Sequence, residues 1–428
     1  YVSEVLDILT SYPELWKKTI FILNYDENDG YFDHVPPFVA PNPNNPDTGK
    51  VSDGIDAADE YVTMQEELSR PDLDKEDARE GPVGLGYRVP LVIASPWSRG
   101  GWVNSQVFDI TSTLQFLEKF LTKKTGKEIK EPNISDWRRM VSGDLTSAFR
   151  PYNGEKIKLP AFLKRDPFVK EIYNAKFKKL PSDFSALTDA EIKDIKRNPL
   201  SSSLLPKQER GIRDSCSLPY QLYADGKLNA DKNTFEITFA AKNELFGKRS
   251  AGSPFNVYAP GKYQLHQMKM ADEVKNWNYA VKAGSELKNE WPLKNFENNL
   301  YYLRVYGPNG FFREFKGDAN DPNILVEFEY ERMKNSSNKL SGNVIISLKN
   351  LSGKSQTIYI EEKAYQKGIR TISLNKNDTA TEILNLKKSF GWYDFTIKAK
   401  GFNSFETRYA GRVETGDHSK SDPFMGKV

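Results

Sequence analysis

Two stretches about ninety residues apart obey one pattern, which marks a single supersecondary unit used twice. GPNGFFREFKG (residues 307–317) and GFNSFETRYAG (residues 401–411) both fit G-x-N-x-F-x-x-x-[F/Y]-x-G, so Asn309, Phe311 and Phe315 correspond to Asn403, Phe405 and Tyr409. Within the units, FEITFAAKN (residues 235–243) and NVIISLKN (residues 343–350) alternate apolar and polar residues, as half-buried strands do. Asn309 followed by Gly310 predicts a tight hairpin turn, because both residue types tolerate positive φ. These signals predict two tandem β-sandwich modules, residues 214–318 and 322–416. Two roles stay open for them: binding of lipid, glycan or a catalytic portion, and a purely structural appendage.

Residues 1–150 follow another rule. Short continuous apolar runs alternate with helical stretches, the pattern of an α/β domain with a mostly parallel, covered sheet. TIFILNY (residues 19–25) and RVPLVIASPW (residues 88–97) read as strands. FDITSTLQFLEKFL (residues 108–121) reads as a helix with Asp109 as N-cap and Ile110, Leu114, Leu117 and Leu121 on one apolar face. The opening, with Val2, Val5, Leu6 and Leu9 at helical spacing before Pro13, reads as an amphipathic helix and as the middle of a domain. Between the two strands runs a polar excursion from about residue 36 to residue 86, read either as a lid or as a solvated loop with a short charged helix. Residues 151–213 read as an extended connector packed on the α/β part, with one short helix where Thr188 and Glu191 have capping-box spacing. Its KFKK cluster reads as a solvated face.

Composition removes several chemistries. Lys+Arg 61 against Asp+Glu 58 leaves a formal charge of +3, which gives no case for nucleic acid as a partner. One cysteine, Cys216, rules out an intrachain disulfide and a cysteine zinc site. With only His34, His266 and His418, any metal here sits mainly on oxygen ligands. No apolar run approaches the ~20 residues of a transmembrane helix.

That focuses attention on TIFILNYDENDGYFDHVPP (residues 19–37), where an apolar strand ends on Asp26 and Glu27. Loops outside the carboxyl ends of strands are where open α/β sheets gather ligands. Adjacent carboxylates there can hold a hard divalent cation that stabilises a phosphoryl group. An EF-hand loop does not fit: from Asn24 its glycine falls on Asp29 and its closing glutamate on Val35, and from Asp26 the closing position is Pro37. Asp33 and His34 add a pair suited to orienting a ligand or protonating a leaving group. The alternative is a capped turn with Gly30 at its bend.

The segments WKKTIFILNYDENDGYFDHVPP, GLGYRVPLVIASPWSRGGWVNSQVFD, NISDWRRMVSGDLTSAF, SAGSPFNVYAPG and ETRYAGRVETG occur in an order that resembles the C-terminal half of bacterial phosphocholine-preferring phospholipases C. That family belongs to a phosphoesterase superfamily shared with metal-dependent acid phosphatases. The resemblance implies part of an alkaline-phosphatase-like α/β phosphoesterase domain followed by the two small β-sandwich domains. It implies a divalent metal ion bound by Asp26 and Glu27, with Asp33 and His34 as catalytic neighbours. The family's threonine or serine nucleophile and its asparagine metal motif are absent from these residues; Ser95, Ser98 and Thr111 lie in other segments of its pattern, so the chain alone is expected to be inactive. Ile110 stands where the family commonly has histidine.

Recognition of choline, a quaternary ammonium, calls for aromatic faces. Tyr31, Phe32, Trp97 and Trp102 are the candidates near the inferred crevice. The resemblance further implies a phospholipid substrate met at a membrane surface, phosphatidylcholine first and sphingomyelin second, and a secreted or periplasmic location. The alternatives are a phosphomonoesterase of the same superfamily and a non-catalytic lipid- or glycan-binding module.

Overall fold

The computed structural model describes residues 1–31, 33, 35–154, 164–205, 211–265, 271–366 and 368–425. The first part is a mixture of short helices and strands: α1 (Val2–Thr10), α2 (Pro13–Trp16), β1 (Phe21–Asn24), β2 (Gly49–Val51), β3 (Tyr61–Val62), α3 (Met64–Ser69), β4 (Gly81–Pro82), β5 (Leu91–Ala94), α4 (Thr111–Thr125) and α5 (Asp136–Val141). Its α/β character is as expected, but its sheet is not. β1 and β5 form an antiparallel pair, Ile22 opposite Ile93 and Leu23 opposite Val92, where a parallel covered sheet was anticipated. An apolar run reports burial and says nothing of strand direction. Here even the burial is incomplete, with Val92 exposed.

Two helices repeat that lesson. In α4 the expected apolar face, Ile110, Leu114 and Leu117, is exposed, and the helix buries Ser112 and Gln115 instead. No residue of α1 is buried. Asp109 is not the N-cap either. Ile110 occupies that place without a side-chain bond, and Asp109 accepts hydrogen bonds from Thr111 Oγ1 (2.7 Å) and Arg138 Nη1 (2.8 Å).

The polar excursion is neither a free lid nor a bare loop, although the short charged helix anticipated for it is present as α3, closed by a Thr63 and Glu66 capping box. Its β2 adds in parallel to a strand of the C-terminal part, β10 (Asp272–Val281), Gly49 opposite Asn278. Gly49 sits at φ +133°, and a Cβ there would lie 1.7 Å from the Asn278 carbonyl oxygen, so only glycine allows this approach. Behind the seam a small core joins Ala40, Ala57, Trp137, Val141 and Ala280.

A second device fastens the same segments. The Arg138 guanidinium is bidentate on Glu60, Nε to Oε1 at 2.7 Å and Nη2 to Oε2 at 2.9 Å, and also donates to Asp109 and to the Gly84 carbonyl (2.6 Å). The Asp109 side chain is fully buried and that of Glu60 nearly so. Burial alone lowers the affinity of Arg138 for its proton, but hydrogen bonds to Asp109 and Glu60 outweigh it and hold the guanidinium above its ordinary value.

After α5 comes the connector, with two helices in place of the one expected: α6 (Arg165–Ala175) and α7 (Asp189–Arg197), the latter with the anticipated Thr188 and Glu191 capping box. The expectation that this segment packs on the α/β part is not met over residues 164–190, all of which are exposed.

Sixteen strands among the described residues complete the chain: β6 (Asp214–Ser215), β7 (Leu222–Leu228), β8 (Thr234–Ala241), β9 (Ser253–Tyr263), β10, β11 (Ser285–Pro292), β12 (Tyr301–Tyr306), β13 (Phe312–Gly317), β14 (Ile324–Met333), β15 (Ser336–Asn350), β16 (Gln356–Glu362), β17 (Gly368–Leu374), β18 (Thr379–Leu384), β19 (Trp392–Ala399), β20 (Phe402–Arg412) and β21 (Ser419–Lys420). One large sheet runs β17-β16-β19-β20-β13-β12-β9-β10-β2, faced by two small sheets, β11-β8-β7 and β14-β15-β18. Two cores fill the gaps, one with Phe239, Phe255, Tyr279, Trp291 and Phe315, the other with Phe328, Ile346, Ile360, Phe395 and Tyr409. The modules are thus two sandwiches fused edge to edge, Phe315 of β13 opposite Thr407 of β20. The repeat supplies equivalent hairpins on either side of that seam, β12 with β13 and β19 with β20. Asn309 (φ 55°) and Gly310 (φ 71°) make the predicted turn.

Arg313 of β13 is fully buried at the seam, its Cζ 4.1 Å from the ring centre of Phe311, 4.6 Å from Phe328 and 4.9 Å from Tyr409. It donates to the carbonyls of Phe312 and Ala410 and to the Tyr393 hydroxyl.

Two measurements check this account. Arg138→Met leaves Glu60 and Asp109 buried without a counter-charge and lowers stability in urea by ~3–5 kcal/mol, part of which Glu60→Gln in the same chain restores. Burial raises the Asp321 carboxyl to about 6, although the Tyr301 hydroxyl donates to it. The folded chain therefore keeps a proton that the unfolded chain has released. This contribution to stability is complete below the ordinary carboxylate range and is lost as pH rises through about 6. Asp321→Asn removes that slope from a series of thermal melts; an unchanged slope refutes the assignment.

Candidate active site

The turn after β1 presents Asp26 and Glu27 as expected, at the end of an apolar strand and exposed. Asp26 Oδ1 accepts the Glu27 N–H (3.0 Å), Asn28 Oδ1 accepts the Gly30 N–H (3.2 Å), and the Asn28 amide donates to the Tyr31 carbonyl. Asp29 (φ 60°) and Gly30 (φ 74°) bend the chain in the left-handed region. Asn28 does the work of holding the turn, so the Asp26 and Glu27 carboxylates are left without a cationic partner among the described residues. The turn lies beside the start of β5, where the Tyr25 N–H donates to the Pro90 carbonyl (3.2 Å).

Asp33 comes back against that same strand. Its nearly buried carboxylate pairs with Arg88, whose Nη2 donates to Oδ1 at 3.2 Å. Arg88 was not singled out in the sequence, since nothing in its spacing pairs it with a residue fifty-five positions earlier. His34 and Phe32 lie outside the described residues.

The aromatic candidates do not assemble. Tyr31 is exposed, and among the described residues no ring contact joins it to Trp97 or Trp102. Trp102 is already engaged: the Arg150 guanidinium lies 4.4 Å from its ring centre and the His418 ring meets it edge-on at 4.9 Å. The Trp97 carbonyl accepts the Arg150 N–H (2.9 Å), and Arg150 Nη2 donates to the Arg99 carbonyl (2.6 Å). One face of Trp102 thus carries an internal cation, and its contact with His418 links the α/β part to the C-terminal segment.

The fit to a metal is partial. Asp26 and Glu27 offer hard oxygen atoms without an ion pair among the described residues, the donor chemistry a divalent cation prefers. Among the described residues, however, no three His, Cys, Asp or Glu side chains come together. Ile110, next to the Asp109 that serves Arg138, is exposed.

A cleft of about 770 Å³ lies elsewhere, between α4, α5 and the first sandwich. Ser142, Asp144 and Thr146 from the DWRRMVSGDLTSAF segment line it, opposite Ser250, Arg249 and Lys282. Burial pushes the Asp144 carboxyl up, but Lys119 and Thr146 outweigh this and hold it below its ordinary value.

The comparisons with known proteins follow the same division. The profile of the Phosphoesterase family matches residues 1–122, and that of the bacterial phospholipase C C-terminal domain matches twice, over residues 215–318 and 324–412. The chain is 35% identical to a non-hemolytic phospholipase C of Pseudomonas aeruginosa over 100% of its own length and 55% of that protein. It is 31% identical to a non-hemolytic phospholipase C of Burkholderia pseudomallei (99% of this chain, 53% of that one) and 33% identical to the hemolytic phospholipase C of Pseudomonas aeruginosa (99% and 54%). The chain spans about half the length of these relatives. The chain thus carries a Phosphoesterase-family segment followed by a twice-used bacterial phospholipase C C-terminal domain, and along its whole length it is similar to about half of a bacterial phospholipase C.

Proposed function

We propose that these residues form part of a phospholipase C that cleaves phosphatidylcholine, and secondarily sphingomyelin, on the lipid side of the phosphate, releasing phosphocholine and, from phosphatidylcholine, diacylglycerol. The observation that carries this reading is the likeness, over 99–100% of the chain, to three proteins named phospholipase C. A phosphomonoesterase of the wider superfamily is the second reading. The twice-matched C-terminal domain favours the lipase.

In this proposal Asp26 and Glu27 give two oxygen donors to a divalent cation, and the remaining donors and the nucleophile come from the portion of the relatives that this chain does not span. When bound, such an ion stabilises negative charge on the phosphoryl oxygens. The chain's own contribution is positional. Asn28 supplies two hydrogen bonds of the turn and Asp26 gives only Oδ1 to the Glu27 N–H, while Arg88, just before β5, pairs with Asp33. His34 is then the candidate proton donor to the leaving group, and Tyr31 the exposed aromatic face for a choline ammonium. A substrate carried on membranes outside the cytoplasm accords with a secreted or periplasmic location. No helix among the described residues is long and apolar enough to cross a membrane.

The test is hydrolysis of phosphatidylcholine and of a plain phosphomonoester by the full-length protein, wild type beside Asp26→Ala, with divalent metals titrated. Wild type releases phosphocholine, and the variant loses about a hundredfold or more, partly recovered by excess metal. Equal rates make Asp26 a turn residue, and cleavage of the monoester alone transfers the assignment to the second reading. The 428-residue chain by itself is expected to turn over neither substrate; turnover by it would overturn the placement of the nucleophile.

A further inference from the structure

Among the described residues, the connector carries a helix of which no residue is buried. Every residue from 164 to 190 is exposed, including Ile172 at 60%, Phe177 at 69% and Phe184 at 86%. In α6, Phe168, Val169, Ile172 and Tyr173 recur at helical spacing and share one face, while Lys170, Glu171 and Asn174 occupy the other. Phe177 follows in the turn just beyond. An isolated helix of eleven residues is marginal in water, and most helices of this length are held by packing of their apolar face. Here that face is presented outward.

We propose that α6 and the turn to Phe184 dock on the surface of a phospholipid membrane, with preference for anionic lipid. Charge and side-chain chemistry select this occupant. Residues 164–180 carry six Lys or Arg against the two carboxylates of Asp166 and Glu171, the excess of positive charge that an anionic headgroup layer attracts. Cations accompany the apolar face directly. Lys176 Nζ lies over the Tyr173 ring, 3.7 Å from its centre, and 5.0 Å from that of Phe177, so a positive charge sits against the exposed aromatic rings. Lys178 and Lys179 continue the charged rim beside Phe177 and Leu180. Aromatic rings with lysines at their border match the headgroup boundary, where one end of a side chain is apolar and the other wet. The KFKK cluster read from sequence as a solvated face is, in this assignment, the polar border of a lipid-binding one.

The purpose of such a helix rests on the phospholipase reading, since it keeps the protein on the surface that holds its substrate. Docking itself is measured without turnover. The 428-residue chain is sedimented with vesicles of phosphatidylcholine alone and of phosphatidylcholine with phosphatidylserine. Wild type partitions onto vesicles, more strongly with phosphatidylserine. The triple variant Phe168→Ser, Ile172→Ser, Phe177→Ser loses ~10-fold or more in partitioning, and Lys176→Glu, Lys178→Glu, Lys179→Glu abolishes the phosphatidylserine preference. All of these residues are exposed, so an unchanged urea midpoint confirms that each variant folds. Equal partitioning of wild type and the serine variant overturns the proposal. So does a full-length protein that ignores vesicles the shorter chain binds, because α6 is then covered by another part of the protein. Hydrolysis of a monomeric short-chain phosphatidylcholine by the full-length protein separates the two readings. It is unaffected by the serine substitutions if the site is catalytic, and absent whatever the docking result if the phospholipase reading fails.

Discussion

The Arg138 guanidinium, fixed between Glu60 and Asp109, is the interaction on which the arrangement of the first part depends. Its three residues come from three separate pieces of chain: the polar excursion, the entry to α4, and α5. None of these pieces buries a large core of its own, and the local apolar cluster consists of two alanines, Trp137, Val141 and an alanine borrowed from β10. A short arginine-carboxylate network can hold such pieces where apolar area is scarce, because its directional bonds fix geometry that contact area alone leaves loose. The same burial makes it intolerant: a pair of this kind adds little over an apolar substitute but costs heavily when one partner is removed.

The C-terminal part solves the opposite problem. Apolar area is abundant there, and what needs fixing is how two similar units meet. The pairing of β13 with β20 turns two sandwiches into one continuous sheet, and Arg313 stands across the seam with rings from both repeats around it. Sealing the seam removes two strand edges that would otherwise be open to intermolecular pairing. At the far end of the sheet β2 continues the ladder through β10. The α/β part is therefore fastened to a rigid β scaffold by backbone hydrogen bonds as well as by the contact of Trp102 with His418.

Much of this was legible in the sequence. The repeat announced two β-modules because alternation and turn chemistry are local, and the capping box of Thr188 and Glu191 announced α7 for the same reason. The turn at Asp26 and Glu27 was legible too, since an apolar run ending in carboxylates and glycine has few other meanings. What was misread shared one cause. The direction of β1 against β5, the exposed face of α4 and the connector's lack of packing over residues 164–190 all depend on what lies opposite, and periodicity describes only the element that carries it.

The sequence by itself determined the order of domains, the presence of two related β-units, the location of an acidic turn after an apolar strand, and the limit that one cysteine and three histidines place on any metal chemistry. Only the tertiary structure decided that the two units share a sheet, that Asp109 serves Arg138, that Asp33 is held by Arg88, and that Arg150 covers one face of Trp102. The division has a physical reason. Propensity, capping and alternation act between residues a few positions apart and are written in the chain, whereas an ion pair or a cation over a ring joins residues dozens of positions apart, whose meeting is set by how the elements pack.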